Sequence, residues 1–166
     1  MVRYEGDFMP PVTPFLWFDT EAEEAAKFYV SIFPNSKITG VTRYPKGSPR
    51  PEGSVMTVNF ELDGQRFTAL NAGPQFQFTE AISFVIECQT QEEVDRYWSK
   101  LTAGGQEVEC GWLKDRYGLF WQVTPRILLE MIGDPDPAKA ERVMKAMLQM
   151  KKIEIAPLKQ AYEGAK

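Results

Sequence analysis

No histidine occurs among the 166 residues. That removes the commonest general base and the commonest transition-metal side chain together. Ser-His-Asp and Cys-His catalytic sets and His-rich metal sites are therefore excluded. Cysteine is scarce as well: Cys88 and Cys110 are too few for a disulfide framework. Each lies in or beside an apolar strand, where a small buried side chain is the expected role. No basic run exceeds Lys151-Lys152, and 19 Lys and Arg are outnumbered by 23 Asp and Glu, for a net charge of -4. The chain thus lacks the basic face that nucleic acid or an anionic membrane would require. No apolar stretch approaches the roughly 20 residues of a membrane span. The first residues, Met1 to Asp7, are polar and acidic rather than leader-like, so a cytoplasmic location is expected.

What the chain does have is an internal repeat. Glu23-Glu24-Ala25-Ala26-Lys27-Phe28-Tyr29, after the apolar run Phe15-Leu16-Trp17-Phe18, returns 69 positions later as Glu92-Glu93-Val94-Asp95-Arg96-Tyr97-Trp98, after Phe84-Val85-Ile86. Paired acids, a base and two aromatics recur, followed by Ile32 against Leu101. One strand-helix-strands unit cannot bury its own apolar face, so two copies are expected to pair, and a site is expected where they meet.

Val12 to Phe18 reads as a strand that is apolar on both faces. Thr20 is the predicted cap of a helix running to about Phe33, with Glu23 as its capping-box partner. Strands are predicted over 37–44, 54–62 and 65–71, the last two joined by an Asp63-Gly64 hairpin turn. In the second copy, strand 81–88 leads to Thr90 as cap, a helix to about Thr102, and Gly104-Gly105 as its stop. Strands near 106–114 and 118–124 complete that copy. Beyond Pro125 the pattern is helical, with Asp136 capping a helix that has Pro137 at its first position. Met144, Met147 and Met150 form an adaptable stripe there, suited to core packing or a dimer contact. The fold class predicted is α+β: tandem βαβββ modules, about 11–72 and 80–125, form mixed sheets around a cleft. They make one domain over 1–125, with a helical C-terminal extension, 126–166, packed on it.

Three strings carry a family resemblance: Phe15-Leu16-Trp17-Phe18-Asp19 with Ala22-Glu23-Glu24-Ala25 and Phe28-Tyr29; Ala69-Leu70-Asn71-Ala72-Gly73-Pro74; and Cys110-Gly111-Trp112-Leu113-Lys114-Asp115-Arg116-Tyr117-Gly118-Leu119. Through them the chain resembles the vicinal oxygen chelate superfamily, which includes glyoxalase I, extradiol dioxygenases and the bleomycin and fosfomycin resistance proteins. Within it the chain looks like the PhnB-like branch, whose members are often described as 3-demethylubiquinone methyltransferases. The resemblance implies a cleft lined by four strands, two from each repeat, where His or Glu side chains hold a divalent metal. It also implies a homodimer. By strand position the four ligands fall near Thr13, near Ala69 or Asn71, near Ala81 or Ser83, and at Gln122. None is a carboxylate or an imidazole, so desolvation of a divalent cation would not be offset, and no metal and no cofactor are expected. Methyl transfer from a nucleoside donor commonly uses a Gly-rich loop between a strand and a helix, and none is present.

The residues expected on the cleft side are Phe15, Trp17, Ala69, Asn71, Phe120 and Gln122, with Trp112, Lys114 and Tyr117 near its mouth. Thr13, Phe15, Trp17, Asn71, Trp112 and Gln122 are the candidate ligand-binding set. Aromatic walls with a few orienting amides suit a small planar or amphipathic molecule. Asp19 and Asp115 read as turn and helix-end residues, Asp115 in an exposed turn. Tyr44 and the loop 45–53 read as a solvated connection. The expected function is metal-independent binding of a small hydrophobic or aromatic molecule. The alternative is an enzyme of the same superfamily, 3-demethylubiquinone methyltransferase-like in description, acting without a His-ligated metal. A third reading is an interaction module using the methionine-striped helix. No nucleic-acid or membrane partner is expected.

Overall fold

The computed structural model describes residues 12–164. The stretch Met1 to Asp7, read above for leader character, and the last two residues of the helical extension lie outside the described residues. The chain divides into two compact units, one ending at Phe76 and one beginning at Gln77.

The first unit is a sheet backed by one helix. β1 (Phe15–Phe18), β2 (Lys37–Arg43), β3 (Val55–Leu62) and β4 (Gln65–Asn71) lie in the order β1-β4-β3-β2. β1 is parallel to β4, and the remaining pairs are antiparallel. Helix α1 (Ala22–Ile32) packs on β3 and β4. Strand alternation puts every second side chain under it: Leu16 and Phe18, Val58, Phe60 and Leu62, Phe67 and Ala69, all buried. Tyr29 of the helix, Phe60 and Phe67 form a stacked series with ring centroids 6.2 and 5.2 Å apart. The β3-β4 hairpin turns at Asp63 and Gly64, both at positive φ (45° and 84°), as a two-residue turn of that hand demands.

The second unit repeats the plan. β5 (Ser83–Cys88), β6 (Gln106–Glu107), β7 (Trp112–Lys114) and β8 (Phe120–Pro125) lie in the order β5-β8-β7-β6, with β5 parallel to β8. Helix α2 (Gln91–Thr102) buries Val94, Tyr97, Trp98 and Leu101. These include the counterparts of Ala25, Tyr29 and Ile32, buried in α1. The α+β class and the two mixed sheets are as predicted, and the single strand expected over 106–114 is a correction. Cys110 and Gly111 take positive φ (58° and 82°), so the chain turns there and pairing resumes only at Trp112.

The helical extension belongs to this second unit: α3 (Arg126–Ile132), α4 (Pro137–Met147) and α5 (Ile155–Glu163). Asp136 caps α4 through the Ala138 N–H at 2.9 Å, with Pro137 at the first position. Leu128, Met131, Val143, Ile153 and Leu158 form a small core of its own, against which Met147 and Met150 pack, while Met144 is exposed. The segment between α4 and α5 is tied to the sheet. Cys110 and Gly111 donate to the carbonyls of Met150 and Lys151, each at 2.7 Å. The Gln91 amide donates to the Ile153 carbonyl and accepts from the Ile155 N–H.

Helix starts follow two different solutions. Thr90 accepts from the Glu93 N–H as predicted. Thr20 does not cap α1; its place is taken from another strand, where Asn71 Oδ1 accepts the Ala22 N–H at 2.7 Å.

Candidate functional site

Each sheet has a face turned away from its helix, and that face carries Phe15, Trp17, Trp112 and Gln122. On the first sheet it presents Phe15 and Trp17 of β1, Thr68 and Leu70 of β4, and Thr57 and Asn59 of β3, in the register Phe15-Thr68-Asn59 and Trp17-Leu70-Thr57. Phe15 is 60% exposed. Trp17 is held in place: its indole N–H donates to the Gly73 carbonyl at 2.8 Å, and its ring meets Phe76 edge-on at 4.9 Å. The polar members pair among themselves. Thr68 donates to Asn59 Oδ1 at 2.8 Å, and the Thr57 and Thr42 hydroxyls are 2.6 Å apart. Thr13 shares the parity of Phe15 and Trp17, just before β1, and is partly buried.

Asn71 is a correction to the predicted site. Period two puts it, with Phe67 and Ala69, on the helix side of β4; it is 9% exposed and both ends of its amide are engaged. Oδ1 accepts from Ala22, and Nδ2 donates to the Val55 carbonyl at 3.2 Å. Its backbone carbonyl accepts the Tyr44 hydroxyl at 2.5 Å, which fixes the start of the loop 45–53 to β4. Ala69 is likewise on the buried side, so neither residue reaches the open face.

On the second sheet the open face presents Ser83 and Val85 of β5, Phe120 and Gln122 of β8, and Trp112 and Lys114 of β7. Gln122 lies opposite Trp112 across one ladder and Val85 across the other. Its amide donates to Ser83 Oγ at 2.9 Å. Lys114 stands over the Phe120 ring at 5.9 Å, a cation on an aromatic face. Phe120, Trp112 and Gln122 are thus brought together on one face of this sheet.

The strand registers fix which positions correspond between the copies. Phe18 pairs with Asn71 at the end of β1, and Cys88 pairs with Pro125 at the end of β5. Counting back from these ends matches Phe15 and Thr68 to Val85 and Gln122, and Thr13 to Ser83. The corresponding open-face positions are therefore Thr13 and Thr68 in the first copy and Ser83 and Gln122 in the second: three hydroxyls and an amide. The acids on these faces are bound to cations instead. Glu61 meets Lys37 and Arg66, and Glu87 meets Arg126. Neither set, Thr13 with Thr68 or Ser83 with Gln122, offers a carboxylate or an imidazole, so neither suits a divalent metal. Among the described residues no three His, Cys, Asp or Glu side chains cluster as a metal site.

Asp115, expected in an exposed turn, is 2% exposed. Oδ1 accepts from the Tyr117 and Leu119 N–H groups and Oδ2 from the Trp121 indole at 2.8 Å, so it locks the β7-β8 turn. The thiols are not poised for nucleophilic chemistry. Burial pushes Cys88 up to about 12, and burial with nearby Glu109 raises Cys110. A cavity of about 600 Å³ opens elsewhere in the second unit, between Thr90, Arg126, Glu130, Glu154 and Lys159. It is lined by charges of both signs and no aromatic ring.

Comparison with known proteins agrees with this fold. The profile of a family described as 3-demethylubiquinone-9 3-methyltransferase matches residues 10–124 and so ends before α3. A Bacillus cereus structure, provisionally described as a 3-demethylubiquinone-9 3-methyltransferase and PhnB protein, is 37% identical with a TM-score of 0.64. It covers 69% of this chain and 98% of its own. A Pseudomonas aeruginosa protein (18% identity, TM-score 0.58, 69% and 96% covered) and the Listeria monocytogenes fosfomycin resistance protein FosX (17%, 0.53, 74% and 96%) share the fold. No curated protein matches in sequence. The chain belongs to the family described as 3-demethylubiquinone-9 3-methyltransferase, the PhnB-like branch of the vicinal oxygen chelate superfamily.

Proposed function

We propose that this protein binds a small hydrophobic or aromatic molecule without a metal ion, using the open faces of its sheets. One observation carries the reading: the open face of each sheet sets aromatic side chains beside uncharged polar ones, Phe15 and Trp17 with Thr68 on the first, and Trp112 and Phe120 with Ser83 and Gln122 on the second. Hydroxyls and an amide supply no charge to replace the hydration of a divalent cation. They do supply donors and acceptors that orient an organic molecule against aromatic walls. Trp17 gives a fixed ring to stack on, and Gln122 gives a free carbonyl end once its amide is bonded to Ser83. Thr13 and Phe15 complete the proposed lining on the first face and Trp112 on the second, and Asn71 holds the first sheet from behind.

Two features of setting go with this reading. Cys88 and Cys110 are both free, which suits a reducing cytoplasm. Ile82 and Val85 are exposed apolar side chains that a second copy of the chain would cover, which supports a homodimer. Among the described residues no helix is long and apolar enough to cross a membrane.

The test is a thermal-shift screen of aromatic metabolites and aromatic antibiotics, with and without manganese or zinc. Binding raises the melting temperature of the wild type and not of Trp17→Leu, and metal makes no difference. A screen in which no compound stabilises the protein would overturn the reading, and stabilisation that depends on metal would overturn its metal-free part.

A further inference from the structure

The end of the first sheet carries a cation that nothing in the family's metal chemistry calls for. Three segments of the first unit meet there: the end of β1 at Asp19, the loop 45–53, and the turn after β4 at Gly73. Gly73 has φ +109° and is buried, and its N–H donates to the Asp19 carbonyl. Its carbonyl takes the Trp17 indole. Its α-carbon is covered by two polar side chains. A Cβ built there would stand 2.2 Å from Arg50 Nη2 and 2.5 Å from Gln75 Oε1. Only a residue without a side chain lets a guanidinium close over this turn, and the same turn anchors the indole. Arg50 and the Trp17-Phe76 pair therefore rest on one glycine.

The guanidinium is weakly engaged. Its ion-pair partner is Asp19, with Nη2 to Oδ1 at 3.9 Å, beyond hydrogen-bonding distance. Five N–H donors in a planar fork meet a carboxylate far better than that. Asp19 is enough to hold the side chain in place and too distant to saturate it. The loop that carries Arg50 is itself fixed, since Tyr44 bonds the Asn71 carbonyl at one end and Gly53 bonds the Tyr44 carbonyl at the other.

We propose that Arg50 is a specificity residue that receives the carboxylate of an aromatic acid whose ring lies against Trp17 and Phe76. This assignment rests on the binding reading above and narrows it from aromatic molecules in general to aromatic carboxylates. A neutral aromatic would keep the stacking and lose the charge-assisted bonds, which are worth about a tenfold change in affinity or more.

The experiment compares naphthoate with its neutral amide, naphthamide, by NMR titration of the Trp17 indole N–H, identified by its loss in Trp17→Phe. The wild type binds naphthoate about tenfold more tightly than naphthamide. Arg50→Gln brings naphthoate down to the affinity of naphthamide and leaves naphthamide unchanged. Asp19→Asn frees the guanidinium and tightens naphthoate alone, a gain that a merely structural role for Arg50 would not produce. Equal affinity of the two probes for the wild type, or equal weakening of both by Arg50→Gln, overturns the Arg50 assignment and leaves aromatic binding standing. A Trp17 indole that responds to neither probe overturns both.

Discussion

The side-chain oxygen of Asn71 accepts the backbone N–H of Ala22 at 2.7 Å, joining the last residue of β4 to the first turn of α1 across 49 positions of sequence. The bond is buried, and the other end of the amide holds the Val55 carbonyl. Asn71→Ala would leave the Ala22 N–H without its acceptor inside the unit, at a cost of about 1–3 kcal/mol. The expected outcome is a lower midpoint in urea with an unchanged slope, and ligand affinity per folded molecule within twofold of wild type. A mutant that folds normally and binds weakly would return Asn71 to the binding set.

This relationship also marks where sequence reading stopped. The repeat, both helices, the hairpin at Asp63-Gly64 and the capped starts at Thr90 and Asp136 were legible because local chemistry determines them. The cap of α1 was not, since Thr20 satisfies the local rule while the acceptor used comes from a distant strand. Faces were harder still. Three residues, Asp19 to Glu21, separate β1 from α1, and only Gln89 and Thr90 separate β5 from α2. Copies aligned on their helices are therefore out of step by one in their strands, and a shift of one moves every side chain to the opposite face. On β4 the register puts Thr68, and neither Ala69 nor Asn71, on the open face. The second copy's short β6 and β7 were hidden because Cys110, a non-glycine at positive φ, gives no turn signal in sequence.

Metal addition gives a direct check on the donor set. Thr13, Thr68, Ser83 and Gln122 carry no charge, and because Thr68 donates to Asn59 and Gln122 donates to Ser83, three of the four already pair with neutral partners. Manganese or zinc at millimolar concentration, and equally a chelator, should leave the melting temperature within about a degree, because a ligand stabilises only in proportion to its binding to the folded state. Isothermal titration should show no saturable heat.

Asp115 makes a different kind of prediction. Its carboxylate accepts from two backbone N–H groups and the Trp121 indole. Asparagine has nearly the same shape but only one accepting oxygen, so Asp115→Asn turns an N–H donor toward one of those donors. A loss of about 2–3 kcal/mol is expected, from hydrogen bonds to a charged acceptor. Near-ultraviolet circular dichroism of Trp121 should change with it, whereas Arg116→Ala, in the same turn but exposed, should be milder. Equal stability of Asp115→Asn and wild type would show that the turn does not need the charge.

The extension is held to α2 by Lys152, whose ammonium bonds Asp95 and lies 3.0 Å from Glu154. The Lys152 hydrogen bond, with a smaller contribution from Gln91, holds Asp95 below its usual value of 3.8. The Asp95 bond raises Lys152 above 10.5, against the opposing effect of burial. The signs follow from which state binds protons more tightly. A depressed Asp95 contributes stability that is complete above its usual value and is lost as pH falls through the lower folded value. A raised Lys152 contributes stability that is complete below 10.5 and is lost as pH rises through the higher folded value. Comparing wild type with Lys152→Met should give a constant stability difference across the neutral range, shrinking toward both extremes. The pair is largely solvent-facing, so the plateau should be under about 1 kcal/mol and should fall with added salt. Hydrogen exchange is the sharper measurement, because the Ile155 N–H is bonded to Gln91 beside this pair. It should exchange faster in Lys152→Met at neutral pH, and the two proteins should converge in acid. A protection factor that ignores both the mutation and the pH would mean that the clasp is carried by Ile153 and its apolar neighbours alone.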